Sequence, residues 1–111
     1  MEVEEIKKLL KKYARENIIF GKKKEYILER VGTTEEEIIE ELQSTEDLEF
    51  VEKQLREGET RYALFFVYSK KKGRVYVITL SDKLKIITAY PLGKRTLSRY
   101  HKGRFIKSKG V

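Results

Sequence analysis

The spacing of apolar positions along this chain changes period near its middle. From Val3 to Arg15, the residues Val3, Ile6, Leu9, Leu10, Tyr13 and Ala14 recur at helical spacing with Lys and Glu between them. That pattern predicts an amphipathic helix. Asn17-Ile18-Ile19-Phe20 is a short apolar link closed by Gly21, readable as a strand or as a plug between two helices. A second helix is predicted over residues 22–31, with Tyr26, Ile27 and Val31 inward and Gly32 as its C-terminal stop. Thr33 and Thr34 stand three residues before Glu36 and Glu37, so either fits a capping box. The helix they would open carries Ile38, Ile39 and Leu42 on one stripe and ends in Ser44-Thr45-Glu46-Asp47.

Beyond that point the period becomes two. Leu48-Glu49-Phe50-Val51-Glu52 begins a weak strand running toward Leu55, and Thr60 to Ser69 is a strong one. In the strong strand Tyr62, Leu64, Phe66 and Tyr68 alternate with Ala63, Phe65 and Val67. Lys70-Lys71-Lys72-Gly73 reads as a hairpin turn, its glycine available for positive φ. Arg74 to Leu80 follows as a strand, and Ser81-Asp82-Lys83 turns into Leu84 to Tyr90. Pro91, lacking an N–H, is expected to stop that ladder. Thr96 to Lys102 has the makings of a short helix, and fraying is expected beyond Gly103. The expected fold is α+β: two to three N-terminal helices, an antiparallel three- to four-stranded β-meander and a basic C-terminal tail. At 111 residues the chain is expected to form one domain. Residues 1–16 would be its N-terminal helix, 17–100 its core and 101–111 its tail.

Charge sharpens this picture. The net +7 conceals a segregation: residues 1–59 carry 11 Lys/Arg against 17 Asp/Glu, and residues 60–111 carry 14 against one, Asp82. A net of −6 is thus followed by a net of +13, a distribution that attracts phosphates or an acidic partner to the second half. Charged residues make up 39% of the chain, dominated by Lys and Glu, a composition of the thermophile kind. The absence of cysteine excludes disulfides and thiolate-held metals and suits a reducing compartment. No apolar run approaches the roughly 20 residues that cross a bilayer. Met1-Glu2-Val3-Glu4-Glu5 does not read as a signal peptide, so no membrane association and a cytoplasmic location are expected.

The candidate chemistry gathers in the tail. Lys94, Arg95, Arg99, Lys102 and Arg104 are interleaved with Tyr90, Tyr100, His101 and Phe105. Guanidinium groups pair phosphate oxygens bidentately and aromatic rings stack on exposed bases, so this combination fits an RNA surface. His101 is the chain's one histidine, and beside Arg99 and Tyr100 it is a candidate general acid or base for phosphodiester cleavage. The bland counterparts are a solvating basic tail and an inert exposed histidine. Carboxylates suited to hold a catalytic metal are not evident: Glu35-Glu36-Glu37 and Glu40-Glu41 suit a solvated helix face. No phosphate-binding glycine loop, nucleophile elbow or zinc-protease helix motif occurs. No cofactor or metal is expected, and any nuclease chemistry would be metal-independent.

Two stretches resemble the BrnT-like branch of the RelE/ParE toxin superfamily. Gly32-Thr33-Thr34-Glu35-Glu36-Glu37 is similar to the branch's helix-opening Gly-x-Ser/Thr-x-Glu-Glu. Ile86-Ile87-Thr88-Ala89-Tyr90, followed by Lys94 to Tyr100, is similar to its last strand and basic helix. The resemblance spans roughly residues 17–100. It implies a compact α+β fold and a type II toxin that cleaves RNA without metal and is held by an antitoxin protein. Val31 stands where the branch has histidine, and Tyr90 where it has arginine. The expected phosphate-binding set is Arg61, Lys94, Lys102 and Arg104 with Tyr90, and the expected catalytic set is Arg95, Arg99, Tyr100 and His101. RNA or the ribosome is the expected partner. The alternatives are a non-catalytic basic module binding RNA, DNA or ribosome, and an interaction protein docking an acidic partner.

Overall fold

A computed structural model of the chain describes residues 3–101, with side chains described as far as Ser98. The amphipathic N-terminal stripe forms α1 (Val3–Leu10), which buries Ile6 and Leu10. This helix is shorter than its pattern. The N–H groups of Lys12 and Tyr13 bond three residues back, to Leu9 and Leu10, so the backbone tightens and leaves the helix before Arg15. Tyr13 is fixed instead by tertiary bonds: its hydroxyl donates to the Ser81 carbonyl at 2.6 Å, and its own carbonyl accepts from Gln43 Nε2 at 3.2 Å.

After one 3-10 turn (Arg15–Asn17), the apolar link forms β1 (Ile18–Phe20). Next come α2 (Lys24–Val31) and α3 (Glu35–Ser44). Gly32, at φ 67°, takes the left-handed conformation that ends α2. Of the two threonines, Thr34 is the cap: its side chain accepts from the Glu37 N–H, and Thr33 donates to the Glu37 carboxylate. Four strands complete the sheet: β2 (Leu48–Arg56), β3 (Glu59–Val67), β4 (Gly73–Leu80) and β5 (Leu84–Leu92). α4 (Lys94–His101) follows at once.

The strand order is β1-β5-β4-β3-β2. The meander β2 to β5 is antiparallel, as its alternation predicts, but β1 pairs with β5 in parallel, Ile18 opposite Leu84 and Phe20 opposite Ile86. The sheet is therefore mixed, which corrects the purely antiparallel expectation. A three-residue strand carries no directional signal of its own. Its direction follows from where α1 delivers it and where α2 must start.

Two apolar clusters lie on the two sheet faces. Ile18, Leu64, Phe66, Tyr76, Ile78 and Ile86 face the layer formed by α1, α2 and α3. Ala63, Phe65, Val75, Val77 and Leu92 face the other way, with Leu97 of α4 packed among them. A bulge at Ile87 shifts the register between Val77/Thr88 and Ile78/Ile86 and sends Tyr90 and Leu92 to the α4 face.

Two further expectations are corrected. Gly73 does not adopt positive φ; it lies inside β4, paired with Val67 and Leu92. Its importance is steric, since a Cβ there would stand 2.7 Å from the Phe66 carbonyl oxygen and 2.9 Å from Leu92 Cδ1. The tight two-residue hairpin is Glu57-Gly58, at φ 52° and 78°, between Arg56 and Glu59. Pro91 does not stop the ladder, because β5 runs on to Leu92 with Pro91 opposite Arg74. β1 pairs β5 only as far as Ile86, so Pro91's missing N–H costs no strand pairing on that side.

Candidate nucleic-acid interface

The register of the meander decides which basic residues meet. Gly73 pairs with both Val67 and Leu92, so the β3–β4 loop and the β5–α4 turn leave the sheet at the same end. Lys72 precedes a directly paired position by one residue and Lys94 follows it by two. Lys70, Lys71, Lys72, Lys94 and Arg95 are all exposed there. Among the described residues no ion pair holds any of the five. The Lys70-Lys71-Lys72 run reads in the sequence only as a turn. The signal that could have marked it was register, since a meander of this length must return β5 beside that loop.

The remaining expected residues divide. Tyr90 lies on the α4 face, half-buried, its ring centroid 5.3 Å from the Arg30 guanidinium carbon. Burial, with Glu52 adding, raises the Tyr90 pKa, while Arg30 opposes the shift. The phenol is therefore a neutral donor near pH 7 rather than a base. Arg61 sits toward the opposite end of the sheet, in the row of Gln54, and its Nε donates to Glu59 Oε1 at 3.0 Å. It is already partnered and does not join Lys94 and Arg95. Arg99, Tyr100 and His101 fall in the last turn of α4, beyond the described side chains. Lys102 and Arg104 lie outside the described residues.

On the helical side of the same sheet end the charge reverses. Glu37, Glu40, Asp47, Tyr68 and Arg74 border a cleft of about 410 Å³ between α3 and the β3–β4 hairpin. At its inner wall the Glu41 carboxylate accepts from the Tyr76 hydroxyl at 2.5 Å, from the Tyr68 hydroxyl and from Arg74 Nη1 at 3.5 Å. Arg74 also donates to the Tyr76 oxygen at 2.9 Å and stacks over Tyr68 at 5.7 Å. Both phenols are pushed well above their usual pKa, Tyr76 by burial and then by the Glu41 charge, Tyr68 by burial and its bond to Glu41. This cluster pins α3 to the hairpin. It also means that one of the basic half's cations is neutralised by an acid from the first half, as Arg61 is by Glu59.

The described residues contain no group of three or more His, Cys, Asp and Glu arranged to hold a metal ion. No helix among them is long and apolar enough to cross a membrane. Comparisons with family models, with curated proteins and with solved structures return no match to this chain.

Proposed function

We propose that this chain binds RNA through the end of its sheet where the β3–β4 loop meets the start of α4. The observation that carries the reading is the convergence of Lys70, Lys71, Lys72, Lys94 and Arg95, exposed and without ion pairs among the described residues, at one end of adjacent strands. Phosphate contacts supply most of the affinity of such surfaces and make it salt-dependent. The acidic cleft lies across the sheet, so a strand approaching from the α4 side meets the cations first.

The finer reading is a metal-independent ribonuclease of RelE/ParE type. It is supported by the sequence resemblance and by the place of Arg99, Tyr100 and His101 in the last turn of α4, the helix whose first turn carries Lys94 and Arg95. Arg95 and Arg99 would stabilise the charged phosphorane, and His101 or Tyr100 would move the proton between the ribose 2′-OH and the leaving oxygen. Tyr90, held protonated, would donate a hydrogen bond.

Titration of fluorescein-labelled U10 by anisotropy at several salt concentrations tests binding. Each phosphate contact on a single strand contributes about −0.7 to the slope of log K against log salt. Replacing Lys94 and Arg95 by Ala is expected to flatten the slope by about 1.4. An unchanged slope refutes the site. Incubation of the same RNA in EDTA then separates the two readings: cleavage abolished by His101→Ala supports the ribonuclease, and intact RNA bound with a steep salt dependence supports the non-catalytic module.

A further inference from the structure

A second basic strip, not evident from the tail, lies along the seam where α2 runs beside β5. The seam begins where the Gly21 N–H bonds the Ile86 carbonyl at 2.9 Å. There Lys22, Lys23 and Lys85 surround a pocket of about 260 Å³ with Ile87 on its apolar side. Lys22 and Lys23 are exposed, Lys85 is half-buried, and no ion pair among the described residues holds any of them. The next lysine along, Lys24, is different: it is paired with Glu35 at 2.6 Å and belongs to the α2–α3 junction.

Further along the seam stands an aromatic stack. Arg30 lies 5.7 Å from the ring centroid of Tyr26, one turn before it on α2, and 5.3 Å from that of Tyr90 on β5. Tyr26 is 55% exposed and contributes nothing to either core cluster. A guanidinium held over two rings is pre-oriented, and its N–H edge remains able to meet phosphate or a base edge. The exposed part of Tyr26 offers a surface on which a base can stack. Tyr26 and Arg30 lie one turn apart on one face of α2, with Lys23 at the helix's N-cap, while Glu25 and Glu29 occupy neighbouring rows. Lys85 and Tyr90 pair with Thr79 and Val75, four positions apart on β4, about 13 Å at the usual rise. β5 then carries the line on toward Lys94 and Arg95.

We infer that the α2–β5 seam is a track for single-stranded RNA, with Lys22, Lys23 and Lys85 holding a phosphate and the Tyr26–Arg30–Tyr90 stack receiving a base. The inference rests on the proposed RNA binding and adds to it a second contact region and a preference for unpaired strands. Duplex RNA keeps its bases stacked inside and cannot use Tyr26, whereas an acidic peptide can use the lysines but has no base to stack.

The test uses the full chain and labelled U10, with dT10, a ten-base-pair RNA duplex and a deca-glutamate peptide as parallel probes. Tyr26→Ala is expected to weaken U10 binding about tenfold, Tyr26→Phe to leave it within twofold, and neither to alter duplex binding. Replacing Lys22 and Lys23 by Ala is expected to flatten the U10 salt slope by about 1.4. The seam is overturned if Tyr26→Ala and the Lys22/Lys23 variant both bind U10 as wild type does. It is equally overturned if deca-glutamate competes as well as U10, and stronger binding of dT10 than of U10 overturns the RNA assignment. If the Lys94/Arg95 variant alone loses U10, the sheet-end site stands without the seam. If the seam variants alone lose it, the seam stands without the sheet end. Circular dichroism spectra matching wild type exclude misfolding, which exposed substitutions are not expected to cause.

Discussion

Replacing Gly73 by alanine tests the register on which the basic cluster depends. A Cβ at this position stands 2.7 Å from the Phe66 carbonyl oxygen, 2.9 Å from Leu92 Cδ1 and 3.4 Å from Leu92 Cβ. The Leu92 side chain can turn away only by disturbing its packing with Val75 and Leu97, for it is 7% exposed. The carbonyl has less freedom still, being part of the β3 backbone, and would have to recede by about 0.7 Å to regain ordinary contact at 3.4 Å. Overpacking of this kind costs about 1–3 kcal/mol. Against it stands a gain of about 0.5–1 kcal/mol, because alanine loses less chain entropy than glycine on entering a strand. With two contacts under 3.0 Å the upper part of that cost applies, leaving a net loss of about 1–2 kcal/mol, or a fall in Tm of about 5–15 °C for a domain of this size. Thermal unfolding followed by far-ultraviolet circular dichroism measures it, with urea unfolding to show that the m-value is retained. Because Lys72 and Lys94 flank the Gly73–Leu92 pair, the variant should also bind U10 more weakly at temperatures where it remains folded. A Tm equal to or above that of wild type would refute the steric reading of Gly73.

Other consequences are open to direct measurement. The Tyr76 hydroxyl is more strongly protonated in the folded chain than in the unfolded one, whose phenol titrates near the usual 10.0. Its contribution to stability is therefore complete below pH 10 and declines above it, by up to about 1.4 kcal/mol per pH unit, as the unfolded chain ionises first. Urea midpoints between pH 9 and 11 should fall more steeply for wild type than for Tyr76→Phe, and equal slopes would count against the reading. Glu41→Ala strips the acceptor from Tyr76, Tyr68 and Arg74 together and is expected to cost about 2–3 kcal/mol; a loss below 0.5 kcal/mol, on the order of a surface substitution, would show that the cluster does not pin α3. Thr34→Ala removes the cap of α3 and should cost about 1 kcal/mol, whereas Thr33→Ala, which leaves that cap in place, should cost less.

Much of the fold is written in local pattern. Helical periodicity, the Gly32 stop and a cap at Thr33 or Thr34 place α2 and α3 within a residue or two, because these signals act through the nearest backbone groups. Alternation does the same for β3, β4 and β5, and the charge segregation is a matter of counting. What the pattern could not hold are properties of pairs distant in sequence. The direction of β1, the steric role of Gly73 and the run of β5 past Pro91 depend on which strand lies alongside. So does the fate of each charge: Arg61 and Arg74 are taken up by Glu59 and Glu41, whereas Lys70, Lys71 and Lys72 are brought to Lys94 and Arg95. The sequence by itself determined that a strongly basic half follows an acidic one, since net charge needs no fold. Only the tertiary structure decided which of those charges remain available and that the acidic half supplies Lys22 and Lys23, just ahead of α2, and Arg30 on α2, beside β5. The reason is that a charge's partners are set by distance in space, and β-sheet register determines that distance.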